Sequence, residues 1–161
     1  IELFKETCGE RPSGWYCRYG PSKNTRELIV EEGNFLYDCD SYNDDTPFFV
    51  KVKGKSHLVL PYTPDVNDFS FWMAPGFVTS DHFFAYLKDT FDTLYEEGQN
   101  TTRLMSIGLH PRMIGRPGRI AGLRRFLEYA KGFSDVWFAT RKEIAIHCIN
   151  NKKMLENYLK S

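Results

Sequence analysis

The chain has 161 residues, of which 42% are hydrophobic, and its 21 basic side chains balance 21 acidic ones. A chain of this length is expected to form one domain with a sizeable core. The balanced charge argues against a protein that binds nucleic acid, since such proteins usually carry a basic excess. No uncharged apolar run approaches the roughly 18 residues of a membrane span, so we expect a soluble protein without membrane attachment.

Four cysteines are present, and none of them forms a CxxC pair. This spacing argues against a zinc ribbon and against a dense disulfide framework. Reduced thiols in a cytoplasmic protein are the simpler expectation. The chain also opens at Ile1 with what reads as the second half of an amphipathic helix ending at Gly9. We therefore expect it to be a fragment of a longer protein.

The first half of the chain predicts short strands separated by loops and one helix. Gly54 is expected at a turn, so the last two of these strands form either a hairpin or two separate strands. After the opening helix, the predicted elements are, in chain order, a strand within 11–16, a helix capped by Ser22 or Asn24 and ending at Glu32, a strand over 35–37, a polar loop over 38–45, and strands over 48–52 and 57–61.

The second half predicts longer helices alternating with apolar strands. In chain order these elements are a loop over 63–79, a helix over 81–97 capped by Ser80, a strand over 104–109, a helix from Pro117 to about Lys131, a strand over 136–139, a helix from about Lys142, and a polar helix over 152–160. The helix over 81–97 repeats Phe84, Leu87, Phe91 and Leu94 at helical spacing. Alternating strands and helices imply βα units in an α/β fold with a parallel sheet or barrel, with 48–61 as the exception.

His110 is the strongest catalytic candidate. In βα architectures the working residues lie at the carboxyl ends of the strands, and His110 directly follows the apolar run 104–109. A nearby carboxylate such as Asp40 would orient the imidazole for proton donation to a leaving nitrogen. The alternative is a histidine that only forms a hydrogen bond with a loop.

Other polar and aromatic side chains follow predicted strands and would line the same sheet edge, where they suit a polar substrate. The candidates for substrate binding are Trp15, Tyr16, Tyr42, Asp65, Asn67, Asp68 and Arg112. The acidic loop over 38–45 lacks the spacing of a calcium loop, so a solvated loop is its alternative. The remaining histidines have no ligand-like spacing to one another and are interpreted as structural: His57, His82 and His147.

Several segments, read together, resemble the polysaccharide-deacetylase superfamily and, within it, the metal-independent allantoinases. The resemblance covers nearly the whole chain. Its segments are 9–16, 22–26, 31–42, 57–63, 65–68, 83–89 and 106–119. Pro111 follows the histidine where the deacetylases usually have aspartate, which favours the allantoinase branch.

The resemblance implies the C-terminal half of a distorted (β/α) barrel and roles for three residues. Arg11 matches the arginine that steadies the catalytic carboxylate, and Asp40 matches the aspartate that tunes the acid. His110 matches the histidine that protonates the leaving group. The tryptophan usual after the Asp-Ser segment is missing here.

Two family elements, an early Asp-Asp segment and a His-x-x-x-His segment, do not occur in these residues. We therefore expect no cofactor in this chain, and a divalent metal only through residues upstream of Ile1. A complete barrel needs on the order of 250 residues, so the N-terminal half of the same barrel would be a partner of this one. The sequence also leaves open whether the protein forms a homo-oligomer.

The implied function is hydrolysis of a carbon–nitrogen bond other than a peptide bond. The expected substrate is a small polar ureide, allantoin, opened by water to allantoate, with a base from the N-terminal half activating the water. One alternative is a metal-dependent deacetylase of N-acetyl sugars in chitin or peptidoglycan. Another is a catalytically silent binding domain on the same fold.

Overall fold

The strands of the computed structural model, which describes residues 1–153, form a mixed sheet. They are β1 (Gly14–Trp15), β2 (Tyr37–Asp38), β3 (Phe48–Val52) and β4 (Lys55–Val59), and their order is β1-β2-β4-β3. β1, β2 and β4 are parallel, whereas β3 is antiparallel to β4. This arrangement confirms the predicted α/β class, the parallel sheet and its exception at 48–61.

The β3–β4 hairpin is built by local sequence. Its turn has positive φ at both Lys53 (48°) and Gly54 (80°). Two positive φ angles are the pattern of a type I′ turn, whose twist matches that of the flanking strands. Leu58 and Val59 of β4 are 1% and 0% exposed, so the hairpin delivers its apolar face to the core.

Six α-helices and a short 3₁₀ helix are present in the described residues. They are α1 (Glu2–Cys8), α2 (Thr25–Glu32), the 3₁₀ helix (Asp68–Trp72), α3 (Ser80–Gly98), α4 (Pro111–Ile114), α5 (Pro117–Ala130) and α6 (Arg141–Asn150). Within residues 1–153, none of them has both the length and the apolar character needed to cross a membrane. From residue 154 onward, the helix predicted over 152–160 lies outside the described residues.

Two of the α-helices, α3 and α6, begin at side-chain caps. The predicted cap of α3, Ser80, is wrong, because Thr79 Oγ1 accepts the hydrogen bond from the His82 N–H (3.3 Å) and Ser80 is already helical. α6 begins with a capping box, in which Thr140 and Glu143 satisfy each other's backbone N–H groups. The sequence did not predict α4 or the 3₁₀ helix, since both are only one turn long and lie among prolines and glycines.

The chain divides into two units, each with its own apolar contacts. Unit 1 comprises Ile1–Tyr62 and the chain from Ala139 onward, and unit 2 comprises Thr63–Phe138. In unit 1, α2 packs beside β3 and α6 beside β4. In unit 2, α3 packs along α5 around a buried cluster of Val66, Phe83, Leu87, Phe91, Ile114, Leu123, Phe126 and Ala130.

The buried face of α3 differs slightly from the predicted one. Phe83, Leu87 and Phe91, at four-residue spacing, are at most 7% exposed. Phe84, predicted in this stripe, is only partly buried and lies under the Arg125 guanidinium, 5.0 Å from the ring centroid. The predicted stripe, which includes Phe84, and the observed one, which includes Phe83, both have helical spacing. Which of them is buried depends on where α5 packs against α3.

Two predicted strands do not form. Residues 104–109 and 136–139 make no strand ladder with the rest of 1–153, although Gly108 forms an isolated parallel bridge with Asn67. Trp137 and Phe138 are more than half exposed. A buried parallel strand needs hydrogen-bonded neighbours on its edges, and apolar composition alone does not supply them.

Gly122 of α5 permits the close approach of α3. A Cβ added at this position would lie 2.4 Å from the Ser80 carbonyl oxygen, whereas one at Gly118 in the same helix would meet no atom within 4 Å. We expect Gly122→Ala to lower the free energy of unfolding by about 1–3 kcal/mol through overpacking. Gly118→Ala should be neutral or slightly stabilising. Urea unfolding of the two variants measures this difference. Equal free energies of unfolding for Gly122→Ala and Gly118→Ala would contradict the close contact between α5 and α3 at Gly122.

Candidate active site

His110 and Asp68 of unit 2 form a two-point contact. The Asp68 carboxylate accepts hydrogen bonds from the His110 backbone N–H (2.8 Å, to Oδ2) and from the ring Nδ1 (2.7 Å, to Oδ1). The Asp68 side chain is fully buried, whereas that of His110 is 34% exposed. One buried carboxylate therefore fixes both the backbone and the ring of the candidate catalytic histidine.

Backbone pairing places Asp68 beside His110. The Gly108 N–H donates to the Val66 carbonyl (3.0 Å), and the Asp68 N–H donates to the Gly108 carbonyl (3.0 Å). The next donor in this parallel pattern is the His110 N–H, and it meets the Asp68 side chain instead of a backbone carbonyl. The Asp68 carboxylate thus extends the hydrogen bonding of this isolated bridge by one step, directly before α4 begins.

The start of α4 completes the setting of His110. His110 is the residue before the helix, and its carbonyl accepts hydrogen bonds from the N–H groups of Met113 (2.8 Å) and Ile114 (3.0 Å). Pro111 occupies the first helical position, where a missing N–H costs nothing. The Pro111 that distinguishes this sequence therefore also fixes the direction in which the chain leaves the site.

This geometry leaves one ring nitrogen of His110 for chemistry. A carboxylate only accepts, so Nδ1 carries the proton in the contact with Asp68. Nε2 is then the ring nitrogen that can bind or release a proton as a general acid or base does. Phe69 flanks the imidazole with 6.0 Å between ring centroids, and Trp72 extends this aromatic wall.

Asp38 of unit 1 is the centre of a buried ionic network. Its side chain is fully buried, and it accepts hydrogen bonds from Arg26 Nε (2.7 Å) and Nη2 (3.0 Å), from His57 Nε2 (3.0 Å) and from the Asp40 N–H (2.9 Å). Burial opposes the charged form, but these donors together lower the pKa of Asp38 to about 2. We call Arg26, Asp38 and His57 the Asp38 network.

Asp40 follows this network and is 9% exposed. Its Oδ1 accepts a hydrogen bond from the Cys17 N–H (2.8 Å). Its Oδ2 is buried, and within residues 1–153 it has no hydrogen-bond partner. Burial, despite the Cys17 hydrogen bond, raises the pKa of Asp40 above its ordinary value. A buried carboxylate oxygen without a partner is costly, which favours a proton or a ligand at Oδ2.

Three tyrosines form an aromatic cluster in the same unit. The Tyr62 ring lies 5.2 Å from the Tyr16 ring and 6.2 Å from the Tyr42 ring, measured between centroids. Burial and a hydrogen bond to Tyr16 raise the pKa of Tyr42 well above its ordinary range, so its hydroxyl stays protonated. Tyr16 and Tyr42 are both nearly half exposed, as expected of side chains that can pack against a substrate.

Arg11 precedes β1 and Trp15 ends it, and both make contacts within the protein. Arg11 Nη2 donates to the Glu32 carboxylate and to the Gly33 carbonyl (2.7 Å) at the end of α2. Arg11 also stacks over the Phe35 ring, which Trp15 meets edge-on. Arg11 Nε is buried without a partner among the described residues, and Trp15 is 40% exposed. Their predicted roles stay predictions.

The polar residues predicted to bind substrate in unit 2 differ in placement. Asp65 is exposed and accepts from the Tyr86 hydroxyl (3.0 Å), and Arg112 is exposed on α4. Asn67 Oδ1 accepts from the Phe69 N–H (2.8 Å) and so caps the 3₁₀ helix. Asp68 was expected at the substrate, but burial and two hydrogen bonds to His110 make it a support for that residue instead. Asp68 therefore orients the His110 imidazole, a role that the sequence analysis had suggested for Asp40.

Sequence reasoning missed the parts that Arg26 and His57 play. Arg26 was named only as part of the segment 22–26 that carries the family resemblance, with no role of its own, and His57 was interpreted as structural. Both are indeed contacts of a buried carboxylate, which spacing along the chain does not reveal. One signal was available: Asp38 directly follows the apolar segment 35–37 and His57 directly precedes the apolar segment 58–60, and polar groups buried beside such segments need partners.

Two further features bear on the site. Within residues 1–153, no group of three His, Cys, Asp or Glu side chains is placed to hold a metal ion. The described residues thus do not fit a metal centre by themselves.

An open depression of about 420 Å³ lies in unit 2, lined by Phe71, residues 73–78 and Arg119. It contains neither His110 nor Asp68 and is not the candidate site.

Comparison with known proteins shows close relatives, although no family model matches the chain. The chain is 53% identical to PuuE allantoinase, whose crystal structure it matches with a TM-score of 0.86 over 92% of this chain and 49% of that one. A "probable polysaccharide deacetylase" from Pseudomonas aeruginosa PAO1 is 50% identical, with a TM-score of 0.85 over 92% and 50%. A "putative polysaccharide deacetylase" of Schizosaccharomyces pombe (strain 972) is 42% identical over 83% of this chain and 46% of that protein. The chain thus spans about half the length of these relatives.

Proposed function

Because the chain belongs to the polysaccharide-deacetylase superfamily, we propose that it supplies the proton donor for hydrolysis of a carbon–nitrogen bond other than a peptide bond. The observation that carries this proposal is the contact between Asp68 and Nδ1 of His110 (2.7 Å), with the ring one-third exposed. A histidine held in this way has one occupied and one available nitrogen, which is the arrangement a general acid needs.

The step assigned to His110 is protonation of the leaving nitrogen. Water adds to the carbonyl carbon, the carbon–nitrogen bond breaks, and Nε2–H transfers its proton to the departing nitrogen. Asp68 holds the ring in one tautomer and stabilises the imidazolium before transfer. A carboxylate in this position prevents the ring from rotating away from the leaving group.

Allantoin is the substrate that we propose first. Water opens the hydantoin ring at an amide bond and gives allantoate, so the leaving nitrogen remains attached to the product. Support comes from the 53% identity to PuuE allantoinase, together with the Gly108-Leu109-His110-Pro111 segment that the resemblance connects with that branch. Asp65 and Arg112 remain the proposed polar contacts to this substrate, since both are exposed and lie within three residues of Asp68 or His110 in the chain.

Deacetylation of an N-acetylated polysaccharide is the second candidate. Here water releases acetate, and the sugar amine is the leaving group that receives the proton from His110. The exposed rings of Trp15, Tyr16 and Tyr42 favour this candidate, because sugars stack on aromatic faces. Two of the three relatives named above are described as polysaccharide deacetylases.

We propose that the water-activating base and any metal ligands come from the part of the relatives' length that this chain does not span. Asp40 and Arg11 remain the proposed catalytic residues of unit 1. The buried, unpartnered Oδ2 of Asp40 supports its assignment, whereas Arg11 rests on the resemblance alone.

The two substrates separate the candidates directly. We expect the full-length protein that carries this sequence to convert allantoin to allantoate, measured by loss of the ring in a coupled or chromatographic assay. Acetate release from N-acetylated chito-oligosaccharides, measured in parallel, should be absent or far slower. The reverse pattern would favour the deacetylase, and no turnover of either substrate would reject the hydrolase.

A further inference from the structure

Arg26 and Asp38 together hold both peptide groups of Asp40. The Asp40 N–H donates to Asp38 Oδ1 (2.9 Å), and the Asp40 carbonyl accepts from Arg26 Nη2 (3.1 Å). The same guanidinium forms a two-point ion pair with Asp38 through Nε and Nη2. Asp40 is therefore fixed at its donor and at its acceptor by a single rigid pair.

His57 completes the support from the neighbouring strand. Its Nε2 lies 3.0 Å from Asp38 Oδ2, and its side chain is only 5% exposed. With His57 in place, each oxygen of Asp38 has two contacts: Arg26 Nη2 and the Asp40 N–H at Oδ1, and Arg26 Nε and His57 at Oδ2. Such a saturated carboxylate has no freedom to rotate, so it transmits its own position to Asp40.

The carboxylate of Asp40 depends on this support. Its only described hydrogen bond is to the Cys17 N–H, 2.8 Å from Oδ1, while Oδ2 is buried without a partner in residues 1–153. One hydrogen bond does not fix both the position and the rotation of a carboxylate. The direction of Oδ2 is then set by the backbone of Asp40, which Arg26 and Asp38 clamp.

We propose that Arg26 and His57 are positioning residues of the hydrolase site, acting through Asp38 to hold the Asp40 carboxylate in its working position. The inference rests on the proposed function only in giving Asp40 a part in the reaction. A buried ionic network is expensive compared with apolar packing. Its connection to both peptide groups of Asp40 gives it a use beyond stability.

The first test is a double-mutant cycle on kcat/KM in the full-length protein. Arg26→Gln and His57→Leu are each expected to lower kcat/KM on the order of 10- to 100-fold, because displacing a reacting group by about 1 Å costs that much. His57→Gln, whose amide nitrogen can replace Nε2, should restore most of the activity. In an Asp40→Asn background, Arg26→Gln should cause little further loss, since both changes act through one carboxylate.

The second test needs no activity. Hydrogen exchange of the Cys17 amide reports the Asp40 carboxylate that it contacts, and Arg26→Gln should raise its exchange rate several-fold. The Cys39 amide, which donates to the Trp15 carbonyl (2.9 Å) in the same sheet, is the internal control and should not change. Lys53→Met, which removes exposed ion pairs to Glu27 and Glu31 on α2, is the matched variant. It should alter neither amide nor kcat/KM.

The outcomes separate this inference from the proposed function. If Asp40→Asn keeps full activity, the catalytic part assigned to Asp40 is wrong, whatever the exchange data show. If Asp40→Asn is impaired but Arg26→Gln loses as much activity in that background as alone, the positioning role is wrong. Equal acceleration of the Cys17 and Cys39 amides would mean that Arg26 supports only the stability of the sheet, and would also overturn the proposal.

Discussion

Replacing His110 by alanine is expected to lower kcat of the full-length protein on the order of 10²- to 10⁴-fold, with a smaller effect on KM. The variant lacks the imidazole that protonates the leaving nitrogen, and general acid catalysis contributes a factor of this size. The loss should appear on whichever substrate the wild-type protein turns over. Steady-state kinetics on allantoin and on N-acetylated chito-oligosaccharides provide the measurement.

Asp68→Asn tests the geometry behind that expectation. Its amide group still occupies the space beside His110 but cannot accept from both the backbone N–H and Nδ1–H as a carboxylate does. We expect kcat to fall, though less than in His110→Ala, and the two changes together to cost little more than His110→Ala alone. His147→Ala, at an exposed histidine of α6, is the control. Wild-type turnover in His110→Ala would remove this residue from the reaction.

Replacing Asp38 by asparagine is expected to lower the free energy of unfolding by about 3–5 kcal/mol. Asp38 is fully buried and is the shared partner of Arg26 and His57, so its neutralisation leaves buried polar groups without their charge partner. Glu31→Gln, which removes an exposed carboxylate paired with Lys53, serves as the control and should unfold as the wild type does. Chemical unfolding followed by circular dichroism compares the three proteins. Equal stability of all three would contradict the network.

The same carboxylate makes stability depend on acid. The pKa of Asp38 is about 2 in the folded protein, below the ordinary value of 3.8 that applies when the chain is unfolded. A lowered pKa means that the folded state holds the charged form more strongly, so the stabilisation is complete above about pH 4. It contributes roughly 2 kcal/mol there and disappears as the pH falls toward 2. The acid-dependent part of unfolding between pH 4 and 2 should shrink in Asp38→Asn. If the free energy of unfolding of Asp38→Asn depended on pH between 4 and 2 as steeply as that of the wild type, another group would be responsible for the acid dependence.

Local patterns were enough for several elements. Gly54 at a turn predicted a hairpin or two strands over 48–61, and the structure has the hairpin. Helical spacing located α3 within a residue or two, and Pro117 with Gly132 did the same for α5. His110 was found as the first polar residue after an apolar run. In each case the deciding interactions connect residues a few positions apart, so the sequence carries them directly.

The strands predicted over 104–109 and 136–139, which do not form, show that a local apolar pattern is not sufficient to predict a strand. Apolar runs of this kind fit a buried strand, yet a strand also needs neighbours that satisfy its backbone hydrogen bonds. Within residues 1–153 the first run forms an isolated parallel bridge between Gly108 and Asn67, and this bridge brings Asp68 to His110.

The sequence by itself determined the α/β class, the superfamily and the histidine that the reaction is proposed to use. Only the tertiary structure decided which carboxylates serve which residues: Asp68 supports His110, and Asp38 joins Arg26 and His57 beneath Asp40. The physical reason is that side-chain partners depend on the register between segments far apart in the chain, 42 residues for Asp68 and His110. Composition and periodicity determine which face of a segment is apolar, but the register between segments is set only when the whole chain packs.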